Sequence, residues 1–403
     1  MTDPAFHDSR YSWARLCVTL AVATVGNVGM WSIIVVMPAI QAEFGIDRAD
    51  ASLPYTLTMI GFAVGNAVVG RLVDKFGVSF ALVASAILIT LGNVLGAMTN
   101  SIVALSVFQF VIGLGTAASF GPLIADISHW FMKRRGIAVA VTASGNYLSG
   151  AIWPVLLSGV MESSGWRGVY FWLAAITLIV VVPLALVLGR RGMTAHQKRS
   201  ANLLDQARPG TGFTANQLTI LLGIAGVGCC VAMSMPQVHI VSFCVDLGYG
   251  PVAGAEMLSL MLLGGVISRI TFGLLSDRLG GVMTILIGST LQCLALFLYL
   301  PFDGLASLYI VSLVFGLAQG GIVPAYAIVV REYMPAEQAG SRVGIVMMMT
   351  VLGMALGGWM SGWIFDVSGS YQFAFLNGIL WNVLNMGILA MLLWRAGKST
   401  AVI

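Results

Sequence analysis

Charged residues are scarce in this sequence. Only 9% of its 403 residues are Asp, Glu, Lys or Arg, and 58% are hydrophobic. A soluble globular domain carries about 25% charged residues. So few charges cannot cover a water-facing surface, which excludes an ordinary soluble domain and indicates a protein whose solvent is mainly lipid.

Catalytic and nucleotide-binding motifs are also missing. The sequence contains no HExxH, no GxSxG and no phosphate-binding loop. Of its four histidines, only His239 lies well inside an apolar run, and all five cysteines fall within apolar runs, without zinc or disulfide spacing. These absences argue against an enzyme, an ATP-driven pump, a metal site and a cofactor.

Long apolar runs are what the sequence has in their place. Each approaches or exceeds the ~20 residues that a membrane-spanning helix needs. The first run is too long for the core of a cleavable signal peptide. We therefore predict an all-α membrane protein with twelve transmembrane helices, at 14–40, 51–70, 79–99, 102–128, 136–160, 168–189, 216–245, 252–275, 282–301, 305–330, 341–365 and 372–394.

Basic residues are distributed unevenly around these runs. Twelve spans place both termini on one side, and the segments on that side hold seventeen of the twenty Lys and Arg residues. The other side holds Arg48 and Arg167, and Arg269 lies inside a span. The positive-inside rule then predicts cytoplasmic termini in a cell inner membrane. Because orientation accounts for the net charge of +4, no nucleic-acid partner is needed.

The two halves of the sequence repeat at a fixed offset of 203 residues. Gly61, Gly70, Asp74 and Gly77 correspond to Gly264, Gly273, Asp277 and Gly280. A polar, basic stretch at 190–215 divides the spans six and six and reads as a cytoplasmic linker. We predict an N-terminal bundle at 1–189 and a C-terminal bundle at 216–403. Parallel repeats of this kind bind their substrate near the bilayer midplane.

The most unusual charge is Arg269. It lies eight residues before Asp277, so it is ~12 Å deeper along a helix. An arginine at the centre of a membrane helix costs ~2.5 kcal/mol or more to insert, and no acidic residue occurs at i±3 or i±4. We expect Arg269 to bind an anionic substrate. The structural alternative is an ion pair with another helix, with Asp126 as the first candidate.

Other polar and aromatic residues inside the apolar runs are candidates for binding the substrate or a proton, and each also has a purely structural interpretation. His239 can bind the substrate or carry a proton, or it can satisfy a backbone group in the core. Asp126 can carry a proton, or it can accept a hydrogen bond at a helix end. Aromatic side chains can stack on a substrate, or they can pack in the core; these are Phe120, Tyr147 and Tyr326.

The segments GRLVDKFG (70–77) and GLLSDRLG (273–280) resemble the signature loop of the major facilitator superfamily. The resemblance implies the fold of that superfamily, and it implies transport by alternating access. The first copy departs from the family pattern at Val78-Ser79, where a basic pair is usual. We expect Gly70 and Gly273 to permit close helix approach, and Asp74 and Asp277 to accept hydrogen bonds from a helix N-terminus. The gating set also includes Arg71, Lys75 and Arg278; an ordinary solvated turn is the alternative.

A narrower resemblance rests on WFMKRRGIAVAVTASGNYLSG (130–150), PQVHIVSFCVDLG (236–248) and ISRITFGLLSDRLG (267–280). These segments are similar to monocarboxylate and oxalate/formate-type carriers, in which an arginine of the eighth span meets the substrate carboxylate. Arg269 matches that position. The lysine that oxalate carriers have in the eleventh span is missing here, which disfavours a dianion.

The sequence therefore predicts a monomeric secondary transporter of a small organic anion, a monocarboxylate by first choice, moved with protons as a symporter or against a counter-anion. The first alternative is a carrier of a neutral or ring-bearing solute, such as a vitamin or aromatic acid, with Arg269 structural. The second is a transporter-like nutrient sensor.

Overall fold

The computed structural model describes residues 8–131, 134–189, 213–334 and 336–400, and every regular element in these ranges is helical. The chain divides into two compact units, Met1–Arg199 and Ser200–Ile403. Most of the predicted linker at 190–215 lies outside the described residues. Each unit is described below by itself.

The described residues of the first unit form eight α-helices. A short 3₁₀ segment, Ala117–Ser119, follows α5, and a π-helical segment, Thr177–Val181, precedes α8. The helices are α1 (Arg10–Gly26), α2 (Val28–Phe44), α3 (Arg48–Phe76), α4 (Val78–Met98), α5 (Ile102–Thr116), α6 (Gly121–Ser128), α7 (Arg135–Ile176) and α8 (Val182–Gly189).

The described part of the second unit forms seven α-helices, and a Thr214–Gln217 capping box begins the first of them. They are α9 (Ala215–Asp246), α10 (Gly250–Leu279), α11 (Gly281–Leu298), α12 (Leu305–Gln319), α13 (Ile322–Tyr333), α14 (Ala336–Ser368) and α15 (Tyr371–Thr400).

Eleven helical runs among the described residues are long and apolar enough to span a membrane, which makes this a multi-pass membrane protein. The longest, Gly136–Gly189, has 54 residues. At ~1.5 Å per residue it would extend far beyond the ~30 Å hydrocarbon core of a bilayer. Its backbone leaves the helical conformation at Gly165 (φ 66°, ψ −178°). This break lies between the two spans that the sequence predicts at 136–160 and 168–189.

The repeat is visible in the backbone. Gly77 and Gly280, 203 residues apart, end the two signature loops with φ of 85° and 77°. Gly45 and Gly248, also 203 residues apart, have φ of 60° and 82°. L-residues with a side chain rarely adopt such positive φ values. These glycines are therefore required by the turns that follow corresponding helices in each unit.

Helix packing repeats as well. In the first unit, a Cβ added to Gly113 of α5 would lie 2.1 Å from the carbonyl oxygen of Thr58 in α3. In the second unit, a Cβ added to Gly316 of α12 would lie 1.9 Å from the carbonyl oxygen of Met261 in α10. Both partners obey the 203-residue offset. Glycine here lets two membrane helices touch through their backbones.

Gly70 and Gly273, which we expected to permit close helix approach, are not packed in this way against the described residues of their own units. A Cβ at either position would have no heavy atom of its own unit within 4 Å. Both residues are exposed, and they lie closer to the ends of α3 and α10 than the packed glycines do. The close contacts of α3 with α5 and of α10 with α12 occur deeper in each unit.

Candidate functional site

One helix of each unit is interrupted at the same place. In the first unit α5 ends at Thr116, and Phe120 (φ −124°, ψ −86°) separates the 3₁₀ segment from α6. In the second unit α12 ends at Gln319, 203 residues after Thr116, and two glycines precede α13. A helix break at membrane depth leaves backbone groups that need partners inside the protein. Such breaks commonly form the binding sites of transporters.

Arg269 lies beside the break between α12 and α13. The side chain is half-buried, and its Nε donates a hydrogen bond to the Gly320 carbonyl over 3.3 Å. The preceding residue, Ser268, accepts a hydrogen bond on its Oγ from the Gly321 N–H over 3.2 Å. A Cβ at Gly320 would lie 2.3 Å from the Gly265 carbonyl oxygen. Close packing with α10 thus holds the break next to the guanidinium.

The first unit has a neutral side chain at the equivalent position. Asn66, 203 residues before Arg269, donates through Nδ2 to the Phe62 carbonyl over 2.8 Å. A Cβ at Gly121, the first residue of α6, would lie 3.2 Å from the Asn66 Oδ1. Both residues therefore lie beside the broken helix of their own unit. Only the second unit places a permanent positive charge there.

Asp126, the alternative partner suggested for Arg269, forms its ion pair with Arg15. Its Oδ2 accepts from the Arg15 Nη2 at 2.8 Å and from Nε at 3.0 Å. The Arg15 side chain is only 1% exposed; it also donates to the Leu188 carbonyl and lies 4.5 Å from the centroid of the Trp130 ring. The sequence placed Arg15 among the surface charges, whereas it is a buried partner within the first unit.

His239 is fully buried in α9. Its Nε2 lies 2.7 Å from the Gly358 carbonyl oxygen, and its Nδ1 lies 3.1 Å from the Tyr371 hydroxyl. Because a carbonyl can only accept, Nε2 carries a proton and donates to Gly358, while Nδ1 faces the Tyr371 hydroxyl. The centroid of the His239 ring also lies 5.4 Å from the centroid of the Tyr371 ring. These contacts favour the structural alternative for His239 and lie on α14 and α15, whereas Arg269 contacts the α12–α13 break.

The three aromatic candidates lie in different surroundings. Phe120 is half-buried at the break in the first unit, and its ring centroid is 6.1 Å from that of Phe62. Tyr147 is buried in α7. Tyr326 is fully buried in the core of the second unit and donates to the Asn385 Oδ1 over 2.7 Å. The contact of Tyr326 favours core packing over substrate stacking.

The signature loops carry exposed charges. Arg71, Lys75, Asp277 and Arg278 are all exposed, and the side chain of Asp74 lies outside the described residues. The N-terminus of α11 is capped by a different carboxylate: Glu332, at the end of α13, accepts from the Gly281 N–H on both oxygens at 3.0 Å. Sequence reasoning missed Glu332; its signal was an acidic residue in the last turn of a helix.

No group of three or more His, Cys, Asp or Glu residues within the described ranges could hold a metal ion.

Comparisons with known proteins identify the family. The model described as Major Facilitator Superfamily matches residues 19–257 and 220–402. Monocarboxylate transporter 13 of Bos taurus is 27% identical over 81% of this chain and 75% of its own length. Monocarboxylate transporter 11 of Homo sapiens is 25% identical over 92% of this chain and 80% of its own length.

A solved structure of the nucleoside transporter NupG matches the fold with a TM-score of 0.73, at 16% identity, over 93% of this chain and 99% of that one. At this identity the match shows the fold alone. The predicted resemblance to the superfamily is confirmed, and the chain belongs to the Major Facilitator Superfamily of transporters.

Proposed function

We propose that this protein is a secondary active transporter that moves a small organic anion, a monocarboxylate by preference, across the cell inner membrane by alternating access. The observation that carries the proposal is Arg269, a membrane-embedded guanidinium held beside a broken helix by the Gly320 carbonyl. The names of the relatives, monocarboxylate transporters 13 and 11, support the same substrate class.

The chemistry of the guanidinium favours a carboxylate. Arginine is always charged, and its planar donor fork matches the two oxygens of a carboxylate. The bond from Nε to a backbone carbonyl orients the group without neutralising its charge. A bound anion would place a negative charge beside the guanidinium, at a depth where an arginine is costly.

A single carboxylate fits better than two. Within the predicted eleventh span at 341–365, residues 344–365 of α14 contain no basic residue; Arg342 lies in the first turn of that span. A dianion would therefore lack the second cation that the resemblance to oxalate carriers would require there.

A carrier of a neutral or ring-bearing solute is the second candidate. The same Arg269–Gly320 bond is what a purely structural arginine would make, because it satisfies a carbonyl at a helix break. In that case Arg269 stabilises the break and the solute binds through other groups.

We further propose twelve spans with both termini cytoplasmic, grouped as 1–189 and 216–403 around a linker at 190–215, in a monomer. The break at Gly165 divides the 54-residue run near its middle and supports counting that run as two spans. The concentration of Lys and Arg on one side supports the orientation.

The central prediction concerns Arg269. Charge-assisted hydrogen bonds are typically worth ~1.5–3 kcal/mol each, so Arg269→Gln should weaken carboxylate binding by at least ~10-fold. Arg269→Lys keeps the charge and loses the fork, so it should be intermediate. Binding to purified protein is measured by the shift in melting temperature over a series of acid concentrations.

The matched control is Arg331→Gln, which removes an exposed arginine from the end of α13 and should leave acid binding unchanged. Unaltered acid binding in Arg269→Gln, together with a lower melting temperature, would show that Arg269 is structural and would move the substrate toward a neutral solute.

The second prediction concerns the signature loops, which we propose as gates. Asp74→Asn or Asp277→Asn should slow transport and leave substrate affinity nearly unchanged, because these groups act on a conformation and not on the ligand. Glu332→Gln is the comparison, since it weakens the cap of α11 and should lower stability by ~0.5–2 kcal/mol. A large loss of affinity at normal turnover in the loop variants would contradict gating.

The third prediction concerns coupling, for which His239 and Asp126 are the proposed proton carriers. Uptake into liposomes should rise with an inward proton gradient, and His239→Gln should reduce that response. Asp126→Asn needs a stability measurement beside it, because it leaves the buried Arg15 without its carboxylate, and breaking such a pair typically costs ~3–5 kcal/mol. Uptake that ignores the gradient but requires internal anion would instead identify an exchanger.

A further inference from the structure

Gln237 of α9 is a buried amide without partners. It is 0% exposed, and neither its Nε2 nor its Oε1 has a hydrogen-bond partner among the described residues. Gln109 shows the usual arrangement. It is also 0% exposed, but its Oε1 accepts from Thr58 at 2.9 Å and its Nε2 donates to Tyr170 at 2.8 Å. An unpaired amide in a lipid-solvated core is costly, so its presence needs a reason.

The position of Gln237 on α9 is defined by its neighbours on the same stripe. Ser234, Gln237 and Val241 are spaced i, i+3 and i+7, so they share one helix face. A Cβ at Gly357 of α14 would lie 2.2 Å from the Ser234 Oγ. A Cβ at Gly254 of α10 would lie 2.5 Å from the Val241 Cα. Gln237 thus lies where this face passes from α14 to α10.

The level of Gln237 relative to the guanidinium follows from the same contacts. Helices α9 and α10 are consecutive and antiparallel, and Val241 lies level with Gly254. Gln237 precedes Val241 by four residues on α9, so it lies ~6 Å from that level along the helix axis. Gly265, against which Gly320 packs, is eleven residues along α10 in the same direction, or ~16 Å. Gly320, whose carbonyl the Arg269 Nε contacts, and the backbone of Gln237 therefore lie ~10 Å apart along the helix axes, a distance that already includes the lean of the Arg269 side chain.

The direction of the Gln237 side chain shortens this gap further. Helical side chains tilt toward the N-terminus of their own helix. In two antiparallel helices these tilts are opposed, so Arg269 and Gln237 lean toward each other along the axes. The axial distance that remains between the guanidinium and the amide is comparable to the length of a small solute.

We propose that Gln237 determines substrate specificity by hydrogen-bonding a polar group of the solute, a few bonds away from the carboxylate that Arg269 holds. This inference rests on the proposed function. An amide offers both an acceptor and two donors, so its best partner is a group that also donates and accepts. The substrate class is therefore a hydroxyl-bearing carboxylate, and a purely aliphatic acid leaves the amide unpaired.

The first test measures stability without ligand. Gln237→Met and Gln237→Leu replace an unpaired amide by apolar groups of similar size, so they should raise the melting temperature by ~1–3 °C. Gln109→Met is the matched control and should lower it, because Thr58 and Tyr170 lose their partner. A fall in the melting temperature of the Gln237 variants would show a structural role and overturn the inference.

The second test uses two pairs of probes, phenylacetate with 4-hydroxyphenylacetate and hexanoate with 6-hydroxyhexanoate. Thermal shifts should show that the wild-type protein prefers the hydroxylated member of at least one pair by ~10-fold. Gln237→Met should bind both members alike and keep the wild-type affinity for the unsubstituted acid. A preference that survives in Gln237→Met would overturn the inference.

Failure of the proposed function and failure of the role of Gln237 give different results. If no acid of either pair shifts the wild-type protein, the carboxylate proposal fails and this inference falls with it. If the acids bind and Arg269→Gln abolishes their binding, but the hydroxyl gives no advantage, only the role of Gln237 is wrong.

Discussion

The site depends on one constraint, that a broken helix inside a membrane must find partners for its backbone polar groups within the protein. At the break between α12 and α13 those partners come from adjacent residues of α10. Arg269 donates to the Gly320 carbonyl, and Ser268 accepts from the Gly321 N–H. The carbonyl bond satisfies the break and orients a charge that lipid alone would not tolerate. Under the proposed function, the same side chain stabilises the break and recognises the anion.

The two units use a common framework for different purposes. The positive-φ glycines that end corresponding helices, the glycine contacts and the broken helices all follow the 203-residue offset. Some of the buried polar groups do not follow it. Asn66 stands where the second unit has Arg269, and the buried Arg15–Asp126 pair has Leu218 and Val329 at the corresponding positions. The repeat supplies a scaffold, and the departures from it mark the residues that distinguish this carrier.

Features local in sequence could be predicted, whereas tertiary partners could not. Apolar length indicated the spans, and the 203-residue spacing identified Gly77 and Gly280 as corresponding positions, which the structure shows to be turns with positive φ. The partner of Asp126 was not predictable, because Arg15 is 111 residues away and resembles a surface charge in the sequence. Glu332 was missed for the same reason, since its role as a cap appears only when α13 packs beside the start of α11. Gln237 gave no signal, because an unpaired amide is defined by what surrounds it.

The central claim is that the charge of the solute, and not its shape, is what Arg269 recognises. The most direct measurement compares each of a set of small monocarboxylic acids with its own primary amide, which has nearly the same shape and no charge, by the melting temperature of the wild-type protein. Binding stabilises the folded state by mass action. The account predicts that at least one acid raises the melting temperature and that its amide does not. Equal shifts from an acid and its amide, or shifts from neutral solutes alone, would contradict it.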